Sequence, residues 1–227
     1  IEKTWKAANP AFGDLNDPAD FAAMVKRTPE AEFRTKRCNQ WVSSQLSWLP
    51  NGSWEPLAIE RVIDADVPVV LGFDGSFSGD ASVIIGVTQE DEPHVFMVKA
   101  WEKQPDDDDD WRVDILEVEN TIIEFCSTHN VREIACDPFR WQRTMQVLDE
   151  AGFPVVEWPS TSPARMVPAC AKFYDAVVSG KLTHDGNALL TRHLSNAVVK
   201  TDRLGPRIVK EHRGSPRKID AAVASII

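Results

Sequence analysis

The stretch VVLGFDGSFSGDAS, residues 69–82, reads as a buried β-strand that ends on an acid. Its apolar run, Val69 to Phe73, is rich in β-branched and aromatic side chains and gives way to Gly75, Ser76, Ser78 and Gly79, so the pattern predicts a strand closing into a turn at Asp74. An ionisable group at the end of a buried strand is costly unless something meets it. A second carboxylate, Asp80, stands just across the Gly- and Ser-rich loop. The same ending recurs downstream in VREIACD, residues 131–137, a short strand that finishes on Asp137.

Working outward, VPVVLGF, ASVIIGV and HVFMVKAW are joined by short polar links and predict an antiparallel meander. A helix is expected over 112–129, with Ile115, Val118, Ile122 and Phe125 at helical spacing. It is followed by the strand ending at Asp137, a helix from about Arg140 to Ala151 stopped by Gly152, and the strand FPVVEW. One or two helices are expected over 163–195, then a hairpin, NAVVKTDRLGPRIVKE, and a closing helix from about Lys218. In that last helix Ile219, Ala222, Val223 and Ile226 form a buried stripe with Asp220 beside it. Three hairpin strands followed by helix, strand, helix, strand predict an α/β fold, a mixed β-sheet flanked by helices on both faces. With the first strand in the interior of that sheet, Asp74 and Asp137 fall side by side.

Residues 1–61 differ in character: helical signals, including Asp17 or Asn16 as a cap before Pro18, lead into the Trp- and Pro-rich SWLPNGSWEPLAI. Two regions are therefore expected, a helical segment and linker over 1–61 and a larger domain over 62–227. The chain has 227 residues and a formal net charge of −10, which argues against coating nucleic acid or an anionic membrane by overall charge. Cys38, Cys126, Cys136 and Cys170 have neither zinc-site spacing nor the density of a disulfide scaffold and read as core thiols. No membrane span or leader is expected, and a chain that opens on Ile1 and closes on AAVASII reads as a fragment of something larger.

Two carboxylates brought close repel one another, and a divalent cation removes the conflict. Mg²⁺ or Mn²⁺ suits such a site, because hard ions take oxygen ligands and are commonly held by one or two carboxylates plus substrate phosphate. Each aspartate alone has a plainer explanation: Asp74 and Asp137 as turn formers, Asp220 as a helix cap or the partner of Arg217 or Lys218. Their joint placement at one sheet edge favours the metal. His184 and His212 read as surface or turn residues, and Trp141 as a side chain packed on the sheet.

Four blocks in order carry a resemblance: GFDGSFSGDASVIIGV, IACDPFRWQRTMQVLDEAGFPVVEWPST, AKFYDAVVSGKLTHDGNALLTRHLSNAV and PRKIDAAVASI. Together they resemble the nuclease domain of the large terminase subunit of tailed bacteriophages, which has a ribonuclease H-like fold. KAANPAFG and EFRTKRCNQWV resemble the stretch that joins the ATPase of that family to its nuclease. The resemblance implies an endonuclease that cuts double-stranded DNA concatemers during genome packaging by two-metal-ion hydrolysis. Asp74, Asp137 and Asp220 would be catalytic and hold two Mg²⁺ or Mn²⁺ ions, with Asp80 assisting. It further implies the ATPase domain of the same full-length chain, a small terminase subunit and a portal protein as partners, in the host cytoplasm. The ATPase signature G-x-x-x-x-G-K-[ST] is not in these residues, so no motor activity is expected of them.

DNA would have to meet a local patch, and residues 200–218 offer one: Lys200, Arg203, Arg207, Lys210, Arg213, Arg217 and Lys218 against only Asp202 and Glu211. The run Asp106 to Asp110 reads as a solvated loop. Three rivals share parts of this pattern. A sugar-kinase-type phosphate loop would need a second nucleotide-binding half for which there is no room. A resolvase or transposase would share the metal chemistry. A non-catalytic docking module would use the aspartates merely to finish strands.

Overall fold

The computed structural model describes residues 2–14, 16–25, 30–40, 47–104, 106–108, 110–212 and 214–227. It divides into two compact units, Ile1–Ser47 and Trp48–Ile227. In the first, α1 (Glu2–Ala8), α2 (Pro18–Val25) and α3 (Glu30–Cys38) surround Trp5, Phe21 and Phe33, whose rings lie 5.7–6.0 Å apart. Pro18 opens α2, and the Asp17 carboxylate accepts the Ala19 N–H at 2.8 Å, as a capping residue should.

The second unit is built on a six-stranded mixed sheet in the order β5-β4-β1-β2-β3-β6. β1 (Pro68–Asp74), β2 (Ser82–Thr88) and β3 (His94–Trp101) form the expected antiparallel meander. β4 (Asn130–Cys136) pairs parallel with β1, which therefore lies in the interior, and β5 (Val155–Glu157) follows β4 in parallel. A very short strand that the sequence did not announce, β6 (Thr183–His184), pairs parallel with β3.

Side chains alternate across the pleat, and the two faces make two cores. Val69, Leu71, Phe73 and Ile84 meet Val118 and Ile122 of α4 (Ile115–Thr128) and Met145 and Leu148 of α5 (Gln142–Glu150). Trp141 joins that core, stacked edge-on against Phe73 at 4.7 Å. Ile115, expected in the apolar stripe of α4, is the first residue of the helix and is 39% exposed.

Val83, Ile85 and Val95 turn to the other face. They pack with α6 (Pro163–Val178), α7 (Ala188–Asn196) and α8 (Asp220–Ile226). The last helix is more deeply placed than a one-sided stripe predicts: every residue from Asp220 to Ile226 is buried. It lies directly on β1 and β2 with α6 and α7 over it, which explains a helix apolar nearly all round. Gly72 makes that approach possible, since a Cβ there would sit 1.9 Å from the Ala224 carbonyl oxygen. The hairpin β7 (Val198–Asp202) and β8 (Gly205–Val209) forms a separate two-stranded sheet against α6.

Residues 48–61, read from composition as linker, pack with the larger unit, so the compact body begins at Trp48 and not at residue 62. Trp48, Leu49 and Trp54 are core residues, and Trp54 stacks on His184 at 3.8 Å. His184 is consequently buried, contrary to the surface or turn position expected of it. It donates from Nε2 to the Trp54 carbonyl at 3.0 Å and accepts the Gly186 N–H at Nδ1. Cys38, Cys136 and Cys170 are buried and Cys126 half-buried, all four as free thiols.

Candidate metal centre

The carboxyl end of β1 and of β4 lie side by side: Phe73 pairs with Cys136, and the Asp137 N–H donates to the Phe73 carbonyl at 3.2 Å. Asp74 and Asp137 thus leave adjacent strands at the same edge of the sheet. By the alternation of the strand, Asp74 shares the face of Gly72, the face on which α8 lies. Asp220 is the first residue of that helix and completes the group.

The loop that returns from Asp74 to β2 is fastened from inside. Phe77 packs on Trp141 at 4.6 Å, Ser82 donates its hydroxyl to the Ser76 carbonyl at 2.9 Å, and Gly79 takes a φ of 85°. That left-handed residue is where the chain turns to present Asp80. Lys210, just past β8, reaches back across and pairs with the Asp80 carboxylate.

The electrostatics are those of crowded acids. Burial, then the charges of Asp220, Asp137 and Asp80, push Asp74 well above the usual carboxylate range. Burial, then Asp80, push Asp220 up to about 6 against the opposing pull of the Lys210 ammonium. Asp137 is held differently. Oδ1 accepts the Phe139 N–H at 2.8 Å, and Oδ2 accepts the Ser160 N–H at 2.9 Å and the Ser160 hydroxyl.

Among the described residues no three carboxylate, imidazole or thiol groups converge closely enough to close around one ion. The donor set nevertheless fits a hard divalent cation. It consists of oxygen donors only; two of the carboxyls resist ionisation because they are buried and crowded by other acids, and Oδ2 of Asp220 is buried without any hydrogen-bond partner. An unpartnered buried carboxylate oxygen costs free energy that a bound cation would recover. Lys210 supplies part of that charge.

The basic residues expected to contact DNA separate into two kinds. Arg203 is exposed on the hairpin turn and Arg207 is half-buried. Lys210 faces the acids, Arg217 stands 3.7 Å from Glu211, and Lys218 is turned inward to Glu102 at 3.3 Å with only 12% of its side chain exposed. Arg213 lies outside the described residues. Arg140, beside the site, has a φ of 70° and stacks its guanidinium 5.1 Å from the exposed ring of Phe139. Sequence reasoning missed Ser160, which fixes Asp137, and His193, which meets α8. The first carries a weak signal, a Ser placed just after the strand next to β4; the second carries none.

The family model for the terminase large subunit endonuclease domain matches residues 98–227. The gene 13 protein of Mycobacterium phage L5 is 28% identical, the alignment covering all of this chain and 42% of that protein. The large terminase subunit of Enterobacteria phage HK97 is also 28% identical, over 98% of this chain and 49% of its own length. The chain therefore spans about half the length of these curated relatives. The crystal structure of the HK97 large terminase superposes with a TM-score of 0.65 at 24% identity, covering the whole chain and 53% of the terminase. The large terminase nuclease of thermophilic phage G20c, solved with bound magnesium, gives 0.58 at 13% identity over 81% of this chain and 96% of that one. These structural likenesses establish the fold as that of terminase nucleases, which is ribonuclease H-like.

Proposed function

The chain belongs to the endonuclease-domain family of the terminase large subunit, and from that premise we propose that it is a divalent-metal-dependent endodeoxyribonuclease that cuts double-stranded phage DNA during genome packaging. Asp74, Asp137 and Asp220 are its metal ligands, Asp80 assists, and two Mg²⁺ or Mn²⁺ ions are the cofactor. The observation that supports this reading most is that buried Asp74 feels the charges of both Asp220 and Asp137, with Oδ2 of Asp220 buried and unpartnered.

When bound, the ions would activate a water for attack on phosphorus, by easing the loss of its proton, and would stabilise the leaving 3′ oxygen. The protein's own part is to hold and aim. β1 and β4 present Asp74 and Asp137 from hydrogen-bonded backbone, and Ser160 with the Phe139 N–H fixes the rotamer of Asp137. Lys210 offsets the acidic charge, and the exposed Lys200 and Arg203 are available to the phosphate backbone.

In the full-length protein, residues 1–47 would belong to the end of the ATPase region, and the compact body from Trp48 onward would be the nuclease. Its partners would be the ATPase of the same chain, the small terminase subunit and the portal, in the host cytoplasm. Among the described residues no helix is long and apolar enough to cross a membrane. One observation favours a second reading, a non-catalytic docking module: both oxygens of Asp137 already accept hydrogen bonds within the protein. Incubating supercoiled plasmid with the purified chain in Mg²⁺, Mn²⁺ or EDTA separates the two. The proposal expects nicked and linear products that need metal and vanish with Asp74→Asn. Products that persist in EDTA, or in a folded Asp74→Asn chain, would contradict it.

A further inference from the structure

α8 starts without a cap of its own. Ile219 occupies the N-cap position and has no side chain that can accept a hydrogen bond. The acceptor arrives from another helix: Nδ1 of His193, on α7, takes the Ala221 N–H at 3.0 Å, and the imidazole is completely buried. One turn further along α7, Asn196 donates its side-chain amide to the Lys218 carbonyl at 3.0 Å. The two contacts grip the chain on either side of Asp220.

For Nδ1 to accept, the imidazole must be neutral with its proton on Nε2. Burial holds it so, pushing the His193 pKa down to about 4. Nε2 points toward Oε1 of Glu102 at 3.9 Å and has no hydrogen-bond partner. Glu102 is itself pinned by Arg192 and by Lys218 at 3.3 Å. The order from outside inward is therefore Arg192 and Lys218, Glu102, His193, the Ala221 N–H, and then the neighbouring residue, Asp220.

We propose that His193, backed by Glu102, is a positioning residue: it fixes the first turn of α8 and so aims the Asp220 carboxylate at the cation. The inference rests on the metal reading above. It differs from a packing role in requiring an acceptor at Nδ1 and not merely an imidazole's volume. Asn places Oδ1 where the imidazole carries Nδ1 but leaves a cavity; Leu fills much of the volume and accepts nothing.

The test is Mn²⁺ binding by isothermal titration calorimetry, with thermal melting in parallel, on the unsubstituted chain, His193→Asn, His193→Leu and Asp220→Asn. Loss of such a supporting contact costs on the order of tenfold in metal affinity, and that loss is expected for His193→Leu, with His193→Asn close to the unsubstituted chain. Melting should order the pair the other way, since the Asn variant carries the cavity. His193→Leu binding Mn²⁺ as tightly as the unsubstituted chain, or a folded His193→Asn binding as poorly as Asp220→Asn, would overturn the proposal. Unchanged binding by Asp220→Asn would instead remove the metal site itself, so the two failures are distinct.

Discussion

Replacing Asp220 with Asn should stabilise the metal-free protein while destroying its response to metal. The carboxyl group is raised from 3.8 to about 6, so its native state holds a proton more tightly than its unfolded state. The sign follows: for an acid whose pKa is raised by folding, stability is highest below pH 3.8, falls as pH rises through about 6, and stays low above that. At ~1.36 kcal/mol per pH unit, the ionised group costs the fold about 3 kcal/mol at pH 8. Asn removes that cost and keeps an acceptor for the Ala81 and Asp220 N–H groups that bond the carboxylate. Urea unfolding at pH 8 in EDTA should therefore find Asp220→Asn more stable, by up to about 3 kcal/mol, with the difference vanishing near pH 4. Mg²⁺ at about 1,000 times its Kd should reverse the order, because such an excess adds about 4.1 kcal/mol to a protein that binds it. An Asp220→Asn chain that is less stable than the unsubstituted one in EDTA at pH 8, or that gains as much from Mg²⁺, would refute the reasoning.

Three further outcomes are expected. Gly72→Ala pushes a Cβ into the Ala224 carbonyl, and overpacking of this kind costs about 1–3 kcal/mol; thermal melting should show the loss, and calorimetry a weaker Mn²⁺ affinity as α8 is displaced. Lys210→Met deletes the ammonium that faces Asp80 and Asp220, so the metal-free melting temperature should fall and Mn²⁺ affinity rise, since the acids then have no competing cation. Lys200→Gln with Arg203→Gln removes two exposed charges from the hairpin; if both meet phosphates, the slope of log affinity against log salt should drop by about 0.9 for each, measured by fluorescence anisotropy with duplex DNA.

The parts of this molecule that were legible in the sequence are those fixed by local pattern. VVLGFD and IACD announce strands that end on acids, and in a mixed sheet those strands are neighbours once the first of them, which opens the meander, lies in the interior; the parallel pairing of β1 with β4 meets that condition and sets Asp74 beside Asp137. Trp141 in the core followed from its place as an aromatic residue near a helix start. What stayed hidden depends on contacts between distant segments. Nothing near Trp54 says that it will stack on His184, so a core segment looked like linker and a buried imidazole like a turn residue. The charge count over 200–218 treats every cation alike, whereas Lys210 and Lys218 turn inward to Asp80 and Glu102. The depth of α8 depends on a missing Cβ at Gly72, far away along the chain, and the cap of α8 on an imidazole from α7.

The claim on which all of this depends is that the acids at the sheet edge hold a divalent cation. Crystals of the chain soaked in Mn²⁺ and measured for anomalous scattering test it most directly. Anomalous peaks are expected within bonding distance of the Asp74, Asp137 and Asp220 carboxylates, with Lys210 drawn away from Asp80. Mn²⁺ bound elsewhere, with Lys210 still paired to Asp80 and no peak among the three aspartates, would contradict it.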